Sequence, residues 1–277
     1  LALPPRMRTS NLHLMSIGAA VATLALVAVS IVGTASLRFG ANPEAPTLGR
    51  AAIAISAMVW PAVSWTISRG RDHHGMILIG LCGIAVFASG SGDAAIVLGT
   101  AMFVFLSARL NAARAASIHA VVLSGIVVLA PLLALLARLV AEGMKLGSGN
   151  LIGAIGLWSR PIVEAPLRLI TGHGFDTLYR ARAVEIIDPR APAGLLSEAW
   201  YDLGLLGVLI LACGIFVGIR GLARLVPHVA AAALAVCAAI FVFLVMDPTA
   251  TQAWWLSVWV VVSIMMVAVA NGQHRTS

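Results

Sequence analysis

Charged residues are scarce in this sequence of 277 amino acids, where aspartate, glutamate, lysine and arginine together make up 10%. A soluble domain of this length carries about a quarter charged residues. Hydrophobic residues account for 60% of the chain, and the mean hydropathy is +0.99. This balance excludes a large water-soluble core. It predicts an all-α integral membrane protein that crosses the bilayer several times.

Cysteine is also rare, and several familiar motifs are missing. The three cysteines, Cys82, Cys213 and Cys237, lie inside apolar runs, which is typical of packing residues and not of a disulfide framework. The sequence has no nucleophile elbow, P-loop or dinucleotide fingerprint, and no histidine and acid cluster with the spacing of a metal site. We therefore expect no metal and no cofactor.

Acidic residues are fewer than basic ones, which leaves a formal net charge of +7. Such an excess could indicate a nucleic-acid partner. The basic residues, however, stand singly at the ends of apolar runs, which is the pattern of membrane topology. We therefore expect membrane lipids, and no nucleic acid, as partners.

Eight apolar runs are candidate membrane spans, and a helix that crosses the hydrocarbon needs about 20 residues. The third and fourth runs are shorter, so the Ser-Gly-Ser-Gly-Asp joint between them either dips into the membrane or forms a tight hairpin. Pro61 and Pro131 lie inside spans and are expected to kink them. The eight runs are residues 12–37, 51–68, 76–89, 94–108, 117–140, 200–219, 225–246 and 254–270.

Arginines orient the spans, because basic residues concentrate in cytoplasmic joints. With a cytoplasmic N-terminus, nine arginines fall inside, and only Arg38 and Arg50 fall in short outside joints. The nine are Arg6, Arg8, Arg69, Arg71, Arg109, Arg114, Arg220, Arg224 and Arg275.

This orientation predicts a multi-pass protein of the bacterial inner (plasma) membrane with both termini in the cytoplasm. Residues 1–140 form five transmembrane helices, residues 141–199 an extracytoplasmic (periplasmic) loop of short helices, and residues 200–277 three further transmembrane helices. The chain starts without a methionine, and we expect it to be truncated at its N-terminus.

Polar residues are concentrated around the predicted loop, where seven basic and seven acidic side chains lie between residues 138 and 202. Any anion site there must depend on local placement. Arginine suits a diphosphate or carboxylate because its planar guanidinium donates two hydrogen bonds at once. The alternative is that these groups pair with neighbouring carboxylates or lipid headgroups. The candidates are Arg160, Arg168, Arg180 and Arg182.

His173 is the one histidine of the predicted loop and lies in the sequence Thr-Gly-His-Gly-Phe-Asp. The flanking glycines favour a sharp turn and close backbone approach. Imidazole is the natural general base near neutral pH, and the carboxylates of Asp176 or Glu198 could serve instead. A lone loop histidine is more often an ordinary turn residue, so both interpretations stay open.

The order of motifs supplies a further clue. Paired spans precede an outer loop with a tryptophan, a Gly-x-Gly-Phe-Asp turn and an acidic-Leu-Gly-Leu-x-Gly start of the next span. This arrangement resembles the O-antigen ligase/polymerase family, bacterial inner-membrane glycosyltransferases of the GT-C type. The residues that carry the likeness are Trp158, Gly172, Gly174, Phe175, Asp176, Trp200, Asp202, Leu203, Gly204, Leu205 and Gly207.

Several features depart from the family pattern: the loop arginine, the His-Asn pair, the turn proline, which is replaced by Leu169, and a helix that Pro161 and Pro166 interrupt. Ala154 stands where the family has an arginine four residues before the tryptophan, and Ala193-Gly194 stands where it has a His-Asn pair. Arg160, Arg168 and His173 would have to substitute from nearby positions.

The resemblance implies transfer or polymerisation of an undecaprenyl-diphosphate-linked glycan for surface polysaccharide, including lipopolysaccharide. No metal or nucleotide is needed, because the activated donor carries the energy. The implied partners are this donor, a glycan or lipid acceptor, and other polysaccharide assembly proteins. We expect catalytic roles for His173, Arg168 and Asp176, and substrate binding by Arg160, Arg180, Arg182, Trp158 and Trp200.

The alternative is a non-catalytic or transport component of a polysaccharide export or assembly system. An ion-coupled carrier favours ionisable residues in mid-membrane and internal repeats, and neither is evident. An enzyme requires the loop arginines to surround one cavity with Asp93, Asp247 or Gln252, which lie at outer span ends.

Overall fold

The fold is all-α, as predicted. The computed structural model describes residues 12–38, 45–147, 151–188, 190–191, 194–246 and 253–273, and within these ranges the regular elements are helices, without a strand. The long helices are α1 His13–Arg38, α2 Ala45–Ser68, α3 Asp72–Ser89, α4 Gly92–Leu110, α5 Ala112–Met144, α11 Gly204–Leu222, α12 Pro227–Met246 and α13 Ala253–Gln273. Between α5 and α11 lie the short helices α6 Leu151–Gly156, α7 Ser159–Glu164, α8 Arg168–Thr171, α9 Thr177–Ala183 and α10 Leu195–Glu198, then a π-helix Ala199–Leu203.

Eight helical stretches of the described residues are long and apolar enough to cross a membrane. They overlap the eight apolar runs, although several ends differ; α2, α3 and α5, for example, begin at Ala45, Asp72 and Ala112, four to six residues before the predicted starts. Helix α5 continues to Met144, and α11 begins at Gly204 because the π-helix occupies the first residues of the predicted sixth span. Arg6, Arg8, Ala193, Asp247 and Gln252 lie outside the described residues.

The joint between α3 and α4 is a tight turn at Gly90 and Ser91. Gly90 ends α3 in the left-handed region at φ +66° and donates its N–H to the carbonyl of Phe87. Glycine adopts this conformation without a steric cost. Ser91 then caps α4 by accepting the N–H of Ala94 at 3.3 Å, and Asp93 lies in the favourable first turn of that helix.

The described chain forms two compact units, one of residues 1–116, 221–243 and 252–277, and the other of residues 117–220 and 244–251. The first unit is built around α2, which contacts α1, α3, α4 and α13. Trp60 of α2 is fully buried and packs on Phe105 of α4 with ring centroids 5.1 Å apart. Alanines at 230–233 of α12 are also buried, and such small residues allow helix backbones to approach closely.

Packing between Trp60 and Phe105 gives a direct test of this core. Phe105→Ala removes a ring that is 2% exposed and leaves a cavity, so we expect a loss of about 3 kcal/mol of unfolding free energy in detergent. Phe103→Ala is the matched control, because that ring lies two residues away on the same helix and is 74% exposed. Equal destabilisation by both substitutions in a denaturant titration would contradict the packing.

Candidate functional site

The buried carboxylate of Asp202 connects the π-helix to α9. Asp202 is 5% exposed, and its Oδ1 accepts the backbone N–H of Leu178 at 2.9 Å and lies 2.8 Å from the Thr177 hydroxyl. A free N–H in the first turn of a helix is ordinarily satisfied by the residue just before the helix. Asp176 occupies that place, but it has φ +59° and its side chain makes no capping bond. Asp202 therefore caps α9 from 24 positions later in the sequence.

His173 is held against Tyr201 by two hydrogen bonds and a ring contact. Its backbone N–H donates to the Tyr201 carbonyl at 2.9 Å, and its Nδ1 lies 3.0 Å from the same oxygen. The imidazole stacks on the phenol ring at 4.0 Å with an interplanar angle of 5°. Because a carbonyl oxygen only accepts, this contact requires the proton on Nδ1 and leaves Nε2 with the free lone pair.

Two glycines permit this close approach of the two chain segments. Gly172 has φ +71° and Gly204 has φ +63°, a region that side chains with a Cβ rarely adopt. A Cβ on Gly172 would overlap the backbone of Asp202 and Leu203, and one on Gly204 would overlap Gly172 and Ile170. The Gly-x-Gly turn and the Asp-Leu-Gly motif, 30 residues apart in sequence, therefore form one contact.

A small apolar core supports the contact. Leu178, Ala181, Ile187 and Ala191 are buried together, and Leu157, Trp158 and Tyr201 pack against them. Trp158 also meets Tyr201 edge to face at 6.3 Å. Trp158, a predicted substrate-binding residue, thus contributes to the packing beneath His173.

Trp200, another predicted substrate-binding residue, uses its indole N–H inside the protein. Its Nε1 donates to the carbonyl of Val127 in α5 at 2.8 Å. That carbonyl lies four residues before Pro131, which has no N–H to complete the helical hydrogen bond. Trp200 therefore satisfies the polar group that Pro131 leaves open, and its position in the structure is explained by this bond.

The predicted arginines have different surroundings. Arg160 pairs with Glu164 at 2.7 Å, and Arg180 pairs with Asp176 at 3.5 Å, as the alternative interpretation expected. Arg182 is half-buried on the same helix as Arg180. Arg168 is exposed at the start of α8, and within the described ranges no carboxylate lies within ion-pairing distance of it.

An open cleft of about 700 Å³ lies at the C-terminal end of α5. Arg160 lines it, together with the pair Arg138–Glu142, whose separation is 2.7 Å, and with Lys145. Asp188 lies on its rim, where the hydrogen bond from the Arg190 side chain holds the pKa of the carboxyl below its ordinary value. Opposite charges thus alternate around the cleft.

The predicted site residues fall into two groups. His173, Asp176 and Arg180 belong to the turn and helix that contact the π-helix, whereas Arg160 belongs to the cleft. Sequence reasoning did not assign Asp202 or Tyr201 to the site, although both belong to the motif that starts α11. In the described part of the chain, no group of three or more His, Cys, Asp or Glu side chains could hold a metal ion.

Comparison with protein-family models, with curated proteins and with solved structures found no match to this chain. The resemblance to the O-antigen ligase/polymerase family therefore stays a prediction from motifs.

The bond between Trp200 and Val127 can be tested by a double-mutant cycle. Trp200→Phe should destabilise the protein by about 1–3 kcal/mol, because a buried carbonyl loses its donor. In a Pro131→Ala background the new N–H of residue 131 supplies that donor, so the same change should cost less. The measurement is the free energy of unfolding of all four proteins in detergent. Strictly additive effects would contradict this role for Trp200.

The capping role of Asp202 can be tested against Asp176. From sequence alone, Asp176 would be expected to cap α9, because it directly precedes the helix. Asp202→Ala should loosen α9 by about 1–2 kcal/mol and speed tryptic cleavage after Arg180 or Arg182. Asp176→Ala should leave the cleavage rate near that of the parent, since Asp176 makes no capping bond. Faster cleavage in Asp176→Ala than in Asp202→Ala would contradict the assignment.

Proposed function

We propose that this chain is an O-antigen ligase/polymerase-like membrane glycosyltransferase. It transfers or polymerises a lipid-linked (undecaprenyl-diphosphate) glycan for surface polysaccharide. The observation that carries the proposal is the orientation of His173, whose free Nε2 lies on a turn fixed by backbone hydrogen bonds. The proposal places this turn on the extracytoplasmic side of a bacterial inner membrane, in accord with the distribution of arginines in the sequence.

His173 has the properties of an oriented general base. The Tyr201 carbonyl, 3.0 Å from Nδ1, selects the tautomer, in the way that a hydrogen-bonded partner orients the histidine of a catalytic dyad. Stacking on Tyr201 restricts rotation of the ring. The imidazole is half-buried, so a substrate hydroxyl can still reach the free nitrogen.

Arg168 supplies an available cation close in sequence to His173. The guanidinium is exposed, and the carbonyl of Arg168 accepts the N–H of Gly172, the residue before His173, at 2.7 Å. An arginine without a carboxylate partner can give both of its parallel donors to a phosphate. Arg160 and Arg180 would first have to exchange their carboxylate partners for the substrate.

The proposed transfer is a single displacement. The acceptor hydroxyl oxygen forms a bond to the anomeric carbon of the donor sugar, and the bond from this carbon to the diphosphate oxygen breaks. The hydroxyl proton goes to Nε2 of His173, and the lipid diphosphate leaves as an anion opposite Arg168. Charge develops on the leaving group, where a preorganised cation contributes most to the rate.

A non-catalytic role in polysaccharide assembly or transport is the second candidate. It is favoured by the internal pairing of Arg160 with Glu164 and of Arg180 with Asp176. In that case the chain is required for glycan output, but no single side chain of the turn is.

The test is complementation of a gene deletion in the source organism. His173→Ala and Arg168→Ala should reduce surface polysaccharide at least a hundredfold, the lower range for loss of a general base. The readout is a gel of surface glycan, with immunoblots to show equal protein in the membrane. Loss of long chains with a single repeat retained indicates polymerisation, whereas loss of all lipid-attached glycan indicates ligation.

Arg190→Ala is the matched control. Arg190 lies in the same polar segment and is ion-paired with Asp188 at 3.0 Å, so glycan output should stay near that of the parent. If His173→Ala and Arg168→Ala both restored normal output while the deletion abolished it, the second candidate would be supported and transfer by these residues excluded.

A further inference from the structure

Large apolar side chains are exposed in the short-helix segment, outside the eight long apolar stretches. Phe175 is 84% and Leu167 76% exposed, and Val163 and Ile170 are more than half exposed. Fully burying a side chain of this kind is worth about 1.5–3 kcal/mol. Single exposed apolar residues are ordinary, but several within 13 residues indicate a surface that meets something other than water.

Two hydrogen bonds connect this part of the chain to α5. Trp200 bonds to Val127, and Ser124 Oγ donates to the carbonyl of Ala212 in α11 at 3.0 Å. Going from Trp200 to Ala212 along the chain, the bonded partner in α5 changes from Val127 back to Ser124. Helix α11 therefore runs antiparallel to α5. The Ser124–Ala212 bond marks a common height on both.

Arginines bracket this pair of helices at a distance that matches a bilayer. Arg138 follows Ser124 by 14 residues, a rise of about 21 Å, and Arg220 follows Ala212 by 8 residues, a descent of about 12 Å. The two guanidinium-bearing positions are thus separated by about 33 Å, close to the roughly 30 Å of a hydrocarbon core.

The π-helix lies below the upper arginine on this scale. Gly204 precedes Ala212 by 8 residues and so lies about 9 Å below the height of Arg138. The Val127 carbonyl that the Trp200 indole reaches precedes Arg138 by 11 residues and lies about 16 Å below it, so both contacts place the π-helix below Arg138. Tyr201 and Asp202, just before Gly204, bond directly to His173, Gly174 and Leu178. The turn and the start of α9 therefore lie near the same height, within the margin of the hydrocarbon.

Polar groups at this height are satisfied within the protein, as an apolar surrounding requires. The carbonyls of Tyr201 and Asp202 accept the N–H groups of His173 and Gly174, and the Asp202 carboxylate accepts that of Leu178. What this part of the segment leaves exposed is Leu167, Ile170 and Phe175, the ion pair of Asp176 with Arg180, and Arg168, which has no carboxylate at ion-pairing distance among the described residues.

We infer that the segment from Leu167 to Phe175 is seated at the margin of the phospholipid bilayer rather than in water. Leu167, Ile170 and Phe175 contact acyl chains at the hydrocarbon margin, and Arg168 extends to a headgroup phosphate. Long basic side chains commonly place their charge at the interface while their stems remain in the apolar layer. The inference depends on the hydrogen bonds and exposures alone and does not depend on glycan transfer.

The experiment measures the depth of spin labels in purified protein reconstituted into phosphatidylcholine/phosphatidylglycerol bilayers. Cys82, Cys213 and Cys237 are first replaced by alanine, and single cysteines are then placed at Leu167, Ile170 or Phe175. Each label is exposed to molecular oxygen, which partitions into acyl chains, and to a water-soluble nickel chelate. We expect oxygen to relax these three labels at least several times more strongly than the chelate does.

Spin labels at two control positions give reference relaxation values for acyl chains and for water. A label at Ile210, which is 75% exposed on the apolar helix α11, should report acyl chains. A label at Arg190, which is exposed and pairs with the cleft residue Asp188, should report water. Arg168→Ala should also shift the label at Leu167, because the headgroup contact is lost.

Each outcome decides the question. Labels at 167, 170 and 175 that are relaxed more by oxygen than by the chelate, as the Ile210 label should be, support the inference. A match to the Arg190 label would show that the segment stands in water and would overturn it. Protection from both reagents would show that protein covers these residues, which also overturns it. Because no transfer is measured, failure here leaves the proposed glycosyltransferase activity to its own test.

Discussion

The hydrogen bond from the Leu178 N–H to the Asp202 carboxylate is the contact on which the polar segment depends. It is buried, and it joins a short helix to the π-helix that precedes a long apolar one. Without it the first turn of α9 would carry an unsatisfied N–H, which costs more in an apolar surrounding than in water. The adjacent residue Tyr201 positions His173, because its carbonyl accepts hydrogen bonds from the backbone N–H and from Nδ1 of that histidine.

Satisfaction of backbone polar groups also explains the attachment of this segment to α5. Pro131 leaves the Val127 carbonyl without its helical partner, and the indole of Trp200 supplies the donor from 73 positions away. Substitution of an aromatic side chain for a missing backbone N–H makes a proline tolerable inside a long helix. Trp200, a predicted substrate-binding residue, thus has a sufficient structural reason to be a tryptophan.

Sequence patterns predicted the long helices because hydrophobic runs and their polar joints are local signals. The turn at Gly90 and Ser91 could also be anticipated, since left-handed glycine and a serine cap are local signals too. The cap of α9 could not. Local rules assign it to Asp176, and only the fold turns that residue to φ +59° and brings Asp202 to the helix instead. The stacking of His173 on Tyr201 is likewise a long-range contact that spacing does not encode.

The arginines between α5 and α11 act over short distances, because most of them pair with a nearby carboxylate. That carboxylate lies four residues away or closer, as in Arg160–Glu164 and Arg180–Asp176, so these arginines contribute little net attraction for a distant anion. Arg168 differs, because Glu164, four residues before it, belongs to the preceding helix and pairs with Arg160. Among the described residues no carboxylate lies at ion-pairing distance from Arg168. Its charge is therefore available to a phosphate. Within the described part of the chain, Arg168 is thus a cation of this segment that remains available to an anionic ligand.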